Sequence, residues 1–279
     1  FTPGEKVGLV GRNGAGKSSF FGLLNGTLHE DSGEFSIPAA WRMGQVAQEM
    51  PETEQSATDF VIEGDTVLLA AQAEVAAAEA SDDGMRMAHA YMALHDAGAH
   101  DAPARAQALI QGLGFSAAQL DHPVNSFSGG WRMRLQLARA LMCPSDLLLL
   151  DEPTNYLDLE GALWLESYLQ RYPHTVIVIS HDRDLLNRAV GHILHLENRK
   201  LVLYTGGYDS FAKLRAERRA LQAAEAKKQE ARRAHLQSFV DRFRAKASKA
   251  VQAQARVKMP SRGSAEKTSL TMCIEELPV

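Results

Sequence analysis

The stretch that most constrains the fold is a run of leucines that ends in two acids. Residues 147–150 are all leucine, and Asp151 and Glu152 follow directly. An uninterrupted apolar run of this length is typical of a parallel strand that is buried on both faces. Ligands of open α/β sheets bind at the carboxyl ends of such strands. Two adjacent carboxylates are costly there unless a metal ion or a proton transfer uses them, so the pair predicts a functional sheet edge.

A glycine-rich loop of the phosphate-binding type lies near the start of the chain. Residues 5–10 predict a strand, and GRNGAGKSS at residues 11–19 leads into a predicted helix. The spacing G-x4-G-K-S between a strand and a helix is that of a P-loop, in which backbone N–H groups bind phosphate oxygens. We expect Lys17 to reach the β- and γ-phosphates and the Ser18 hydroxyl to ligate Mg²⁺. The predicted nucleotide-binding residues of the loop are Gly11, Asn13, Gly14, Ala15, Gly16, Lys17, Ser18 and Ser19.

Three other segments are candidates for the same kind of site. Gln48 follows a predicted strand at residues 44–47; taken alone, a solvated loop glutamine is the better explanation, and Gln48 gains weight only from its place in the order of motifs. Ser128, Gly129 and Gly130 precede a patterned helix, and they predict either a second phosphate-type helix N-terminus or an ordinary N-cap. The β-branched run at 175–179 predicts a buried strand that delivers His181 to the carboxyl edge of the sheet, within reach of a γ-phosphate.

Residues 55–120 differ in kind from the flanking segments. They are rich in Ala, Glu, Asp and Met, and few are β-branched. Helices are predicted over 67–80, 85–97 and 103–113, with the first two forming a hairpin. The segment therefore predicts a helical subdomain inserted into the α/β domain.

The C-terminal part of the chain is strongly basic. Residues 213–258 hold fourteen Lys or Arg and four Asp or Glu, a net charge of +10, which leaves −14 for the rest of the chain. Because 211–258 lack Gly and Pro, we predict two helices of about 24 residues each, folded as a hairpin. An excess of one charge sign favours contact with nucleic acid over a merely solvated face. No clear period follows, so residues 260–279 are predicted to be an irregular tail.

Composition restricts the compartment. Cys143 and Cys273 form no disulfide framework, which indicates a reducing environment. No apolar run reaches membrane-spanning length, and no secretory signal is visible. These features predict a cytoplasmic location. The chain begins with Phe rather than Met and carries one P-loop, so we expect a fragment of a longer protein.

The order of these motifs, from the P-loop through Gln48, SGG and DEPTN-x-LD to the strand with its His, resembles the nucleotide-binding domain of an ABC ATPase over residues 1–208. The variant FSGGWRMR, DEPTN-x-LD and the basic segment that follows YTGGYDSF resemble the ABC-F family. Tyr156 departs from the His that often follows DEPTN in that family. The resemblance implies a P-loop NTPase fold of the α/β class, an inserted helical subdomain at about 55–120, a helical-hairpin linker at 209–259 and the tail.

The resemblance also implies Mg-dependent ATP binding and hydrolysis. In that scheme Glu152 is the general base, His181 contacts the γ-phosphate, and Asp158 lies on the loop that faces a partner domain. The implied Mg²⁺ ligands are Ser18, Gln48 and Asp151. Ser128, Gly129 and Gly130 would clamp ATP bound to the P-loop of a second ATPase domain.

The resemblance implies partners as well: the ribosome and tRNA through the basic linker, and a second ATPase domain or another copy of the chain, with no membrane partner. Modulation of translation is the expected function. One alternative is the ATPase subunit of a membrane transporter, in which the basic helices would have no evident use. Another is a folded binding module without enzymatic activity.

Overall fold

The computed structural model describes residues 2–47, 49–81 and 83–244, with the backbone alone for 239–244. The strands are β1 (Lys6–Gly11), β2 (Met43–Gln45), β3 (Leu147–Asp151), β4 (Thr175–Ile179), β5 (His192–Glu197) and β6 (Lys200–Thr205). In this part of the chain they form one six-stranded sheet in the order β2-β3-β4-β1-β5-β6. All neighbours are parallel except β5 and β6. The predicted α/β class is confirmed.

Register brings the predicted site segments to one edge of the sheet. Asp151 is opposite Ile179, and Leu9 of β1 is opposite the same residue. The chain therefore leaves β1, β3 and β4 at neighbouring points on the carboxyl edge, where the P-loop, Glu152 and His181 begin. The prediction that β4 runs parallel to the strand of Asp151 is confirmed.

The central strands β3 and β4 are buried on both faces, as their unbroken apolar runs predicted. Residues 147–150 are between 0% and 3% exposed. On one face, Val7, Leu9, Leu149 and Ile177 pack with Phe20 and Phe21 of the helix that follows the P-loop. On the other face, Gly8 leaves room for Leu186, whose Cδ2 lies 2.6 Å from an added Cβ. The cluster around Phe20 and Phe21 holds the P-loop helix against the sheet.

The helices are α1 (Lys17–Leu24), α2 (Ala57–Ile62), α3 (Thr66–Ala80), α4 (Gly84–Asp96), α5 (Ala102–Gly112), α6 (Gly129–Met142), α7 (Leu159–Arg171), α8 (Arg183–Arg188) and α9 (Tyr208–Arg244). The predicted hairpin of α3 and α4 is present, with Arg86 donating to Glu74 at 2.7 Å and Tyr91 donating to Glu79 at 2.5 Å. Helices α2 and α8 and strand β6 were not predicted from the sequence.

The basic region differs from its prediction. The chain divides into two compact units, one ending at Asp209 before the other begins at Ser210. Helix α9 is continuous over 37 residues, about 55 Å, so the predicted helix length of about 24 residues is wrong. Its Ala-, Lys-, Arg- and Glu-rich sequence offers no residue that would end a helix earlier. The rest of the predicted linker, with the turn predicted for its hairpin, and the predicted 260–279 tail lie outside the described residues.

Candidate active site

The P-loop has the geometry of a phosphate cradle. Gly14 and Gly16 adopt φ values of +75° and +102°, which L side chains rarely adopt, and nothing lies within 4 Å of a Cβ added at Gly14. Gly16 is the N-cap of α1 and gives it no side-chain cap, so the first N–H groups of that helix are left for a ligand. Lys17 Nζ donates to the carbonyls of Gly11 at 3.0 Å and Arg12 at 3.3 Å, which holds the ammonium group at the loop.

These residues suit a nucleotide phosphate and a magnesium ion. The helix N-terminus and Lys17 supply N–H donors and positive charge, which phosphate oxygens require. The Ser18 side chain is exposed, and it follows the cradle directly. Ser18 and Asp151 provide oxygen atoms of the kind that Mg²⁺ prefers.

Asp151 is half-buried at the end of β3. Burial raises the pKa of its carboxyl group, and the positive charge of Lys17 opposes that rise. The positive charge of Lys17 on the P-loop therefore acts on Asp151 at the end of β3. A half-buried carboxylate is suited to a cation, because the ion would offset the cost of desolvation.

Glu152 and His181 meet across adjacent strands. Glu152 has a left-handed backbone with φ of +46°, and its N–H donates to Ile179 O at 2.8 Å. Its Oε2 accepts a bond of 3.3 Å from the backbone N–H of His181, and its Oε1 lies 3.3 Å from His181 Nε2. The Glu152 side chain is 21% exposed and the His181 side chain 65%. The histidine thus holds a general-base candidate at an open edge of the sheet.

Ser128 caps α6 by position only. Its side chain is exposed and makes no capping hydrogen bond, so its hydroxyl is not used by the helix. A Cβ at Gly130 would meet nothing within 4 Å, whereas one at Gly129 would lie 2.9 Å from Met50 Cε. An open helix N-terminus with an uncommitted hydroxyl is the geometry a phosphate needs. The assignment of this site to a second domain remains a prediction.

The loop of residues 152–158 is a compact connection from β3 to α7. Asp158 is the N-cap of α7, with Oδ1 accepting from Gly161 N at 2.9 Å. That bond first, and then Arg134, lower the pKa of the Asp158 carboxyl. Arg134 on α6 also donates to Tyr156 O at 2.6 Å. Arg134 was not predicted as a site residue, because nothing in its local sequence pattern separates it from a surface arginine of α6.

Gln48 lies outside the described residues. Strand β2 is shorter than predicted and ends at Gln45, three residues before it. The proposed metal role of Gln48 therefore remains a prediction. The segment that follows it is fixed to α6, because Gln136 Nε2 donates to Glu49 O at 2.9 Å.

Family models agree with the motifs at this site. A model described as ABC transporter matches residues 1–155, and a second model with that description matches residues 194–267. The chain belongs to the ABC transporter family. Among the residues that the structure describes, no helix is both long and apolar enough to cross a membrane.

Curated relatives of this ABC domain narrow the relationship. The chain is 50% identical over 260 residues to "Probable ATP-binding protein YheS" of Escherichia coli K12, covering 93% of the chain and 41% of that protein. It is 42% identical over 265 residues to human "ATP-binding cassette sub-family F member 3", covering 92% of the chain and 36% of that protein. The predicted resemblance to ABC-F proteins is confirmed. The chain spans about two fifths of the length of these relatives.

Solved structures share the fold. The dimeric post-hydrolysis state of an ATP-binding cassette bound to ADP and Pi matches with a TM-score of 0.52 at 20% identity, covering 73% of this chain and 86% of that one. Archaeal ribosome recycling factor aABCE1, in complex with ribosomal stalk protein aP1, matches with a TM-score of 0.51 at 22% identity, covering 74% of this chain and 34% of that one. The predicted ABC-type P-loop fold is confirmed.

Proposed function

We propose that this chain binds Mg-ATP at its P-loop and hydrolyses it in partnership with a second ATPase domain. The observation that carries the proposal is that three motifs meet at one edge of the sheet. The P-loop with Lys17, the acid pair Asp151 and Glu152, and His181 lie at the carboxyl ends of three neighbouring parallel strands. Phosphoryl transfer to water depends mainly on positioning and charge neutralisation, and these groups provide both.

Each side chain has a role in this proposal. The P-loop amides and Lys17 bind the phosphates, and Asp151 and Ser18 would hold Mg²⁺ together with Gln48. When bound, the ion would neutralise charge on the phosphate oxygens. Glu152 orients the attacking water and accepts its proton, while His181 holds the Glu152 carboxylate and contacts the γ-phosphate. Their 3.3 Å separation supports this division of roles.

The other half of a complete site comes from a second domain in this proposal, supplied by another copy of the chain or by a further domain. The open N-terminus of α6 and the exposed Ser128 hydroxyl suit the phosphates of ATP bound elsewhere. In this proposal Asp158 also faces the second domain. ATP would then join two domains, and hydrolysis would release them.

We further propose that the protein acts on the ribosome in the cytoplasm, contacts tRNA and modulates translation. Residues 210–238 of the long helix carry eight Lys or Arg and three Asp or Glu. Nearly all of these basic side chains are exposed, which suits the phosphates of RNA. The fold shared with a ribosome recycling factor is consistent with this role. An exposed cationic helix favours RNA over the transporter alternative.

The test of the enzymatic proposal is Glu152→Gln in the full chain, with Glu160→Gln as a matched control on the exposed first turn of α7. Glu152→Gln should retain ATP binding and lose about 10²- to 10⁴-fold in turnover, because the general base is gone. The wild-type rate should rise faster than linearly with protein concentration. Turnover of Glu152→Gln close to that of Glu160→Gln would refute the general-base role.

A further inference from the structure

Arg134 connects three separate segments beside the candidate site. Its Nε donates to Tyr156 O at 2.6 Å, and its Nη1 donates to Leu113 O at 3.0 Å and to Asp158 Oδ2 at 3.1 Å. Its guanidinium carbon lies 4.4 Å from the centroid of the Trp131 ring. One side chain thus joins the end of α5, the 152–158 loop and α6.

The residues around Arg134 leave space for its guanidinium and pack against it. The Arg134 side chain is 11% exposed and the Asp158 side chain 55%, so the guanidinium is largely buried while the ion pair itself is open to water. Gly114 has φ of +100°, and a Cβ there would lie 2.9 Å from Arg134 Nη1 and 3.6 Å from Asp158 Oδ2. Trp131 also packs edge-to-face with Phe115, with ring centroids 4.6 Å apart. The absence of a side chain at Gly114 leaves space for the guanidinium in this position.

The 152–158 loop has few other ties at this point. It folds on itself through Asn155 N to Glu152 O at 3.2 Å and Leu157 N to Thr154 O at 3.1 Å. Bonds within a loop shape it but do not orient it relative to another element. Arg134 is the group that attaches Tyr156 and Asp158 to α6, and a planar guanidinium fixes orientation through its forked donors.

We propose that Arg134 is a positioning residue that locks the 152–158 loop to α6, so that Asp158 and the Ser128 end of α6 move as one piece. Six residues separate Ser128 from Arg134, about 9 Å along the helix axis. The inference rests on the proposed function, in which both segments face a second ATPase domain. Arg134 touches neither ATP nor water in this scheme; it presents two partner-facing groups in a constant relationship.

The experiment compares Arg134→Gln and Gly114→Ala with wild type in the full chain, by hydrogen–deuterium exchange over residues 154–158. Both variants should raise exchange in that loop by about tenfold to a hundredfold, the range expected on losing charge-assisted hydrogen bonds. Mg-ATP affinity, measured by calorimetry, should stay within about twofold, because the P-loop is untouched. Gly33→Ala is the matched control, since Gly33 has φ of +94° with nothing within 4 Å of an added Cβ.

A second readout separates positioning from general stability. ATP-dependent self-association, followed by sedimentation, should weaken by tenfold or more in Arg134→Gln while ATP affinity holds. Asp158→Asn keeps a side-chain oxygen for Gly161 and removes the negative charge that faces Arg134, so it weakens the contact with a smaller change if the other variants fold poorly. Arg134→Lys should be intermediate, because an ammonium group can pair with Asp158 but cannot form the fork.

Three results would overturn the proposal. Unchanged loop exchange in both Arg134→Gln and Asp158→Asn would show that Arg134 does not hold the loop. Faster exchange across the whole domain, with a parallel loss of ATP affinity, would reduce Arg134 to a stabilising residue. Normal self-association with a loosened loop would disconnect the loop from the partner face. If the wild-type chain binds ATP without self-associating, the proposed function is contradicted instead. Hydrogen–deuterium exchange over residues 154–158 would then still test whether Arg134 fixes the loop to α6.

Discussion

Replacing four basic residues on α9 should change how salt weakens RNA binding. Lys227, Lys228, Arg232 and Arg233 are all exposed within about two turns of the helix. Gln has nearly the same helix propensity as Lys and Arg, so the fourfold Gln variant should keep the helix. Each neutralised phosphate contributes about 0.7 to 0.9 to the slope of log affinity against log salt. If all four side chains contact phosphates, the slope of log affinity against log salt should be shallower in the variant by about 3 to 3.5.

The consequence is large enough to measure by fluorescence anisotropy with a labelled tRNA. Between 50 and 200 mM salt, wild type should lose about 50- to 150-fold more affinity than the variant does. The matched control changes Glu217, Glu225 and Glu230 of the same helix to Gln, which should not flatten the slope. Equal affinity and equal slope for wild type and the fourfold variant would mean that α9 is only a solvated helix, and the reasoning from charge would fail.

Two further predictions concern stability. Gly112→Ala should lower the free energy of unfolding by about 1–3 kcal/mol, because a Cβ there would overlap the Trp164 indole. Gly84→Ala is the control and should not destabilise the protein, since nothing lies within 4 Å of its added Cβ. Equal melting temperatures for the two variants would contradict this prediction. Asp151→Asn should raise the melting temperature of the nucleotide-free chain at neutral pH. Because folding raises the pKa of Asp151, the wild-type chain loses stability as pH rises above about 4. The gain in melting temperature of Asp151→Asn should therefore shrink as pH is lowered towards about 4. A gain that does not depend on pH would show that the buried charge of Asp151 is not its cause.

The sequence predicted those parts of the fold whose residues carry a strong period or motif. The buried runs of β3 and β4 permit few structures other than parallel strands, and the P-loop required a strand before it and a helix after it. Strand β6 was missed because its burial alternates irregularly between exposed and half-buried positions, as suits an edge strand. Its hairpin turn uses Asn198 and Arg199 with positive φ, and so lacks the Asn-Gly signal.

The candidate site was predictable one segment at a time, but its connections were not. Lys17, Asp151, Glu152 and His181 each follow a recognisable strand, and parallel pairing brings them together. The contact between Glu152 and His181 depends on the left-handed backbone of Glu152, which a sequence pattern does not reveal. The tie between Arg134 and the 152–158 loop is likewise a tertiary contact, formed by residues 22 and 24 positions apart.

Calorimetry of the full chain with Mg-ATP shows whether Gly16, Lys17 and their neighbours form a nucleotide site. Wild type should bind, and Lys17→Ala should lose detectable binding, because the ammonium group held at Gly11 O would no longer face the phosphates. Lys200→Ala, an exposed lysine at the start of β6, should bind as wild type does. Unchanged affinity in Lys17→Ala would contradict the account.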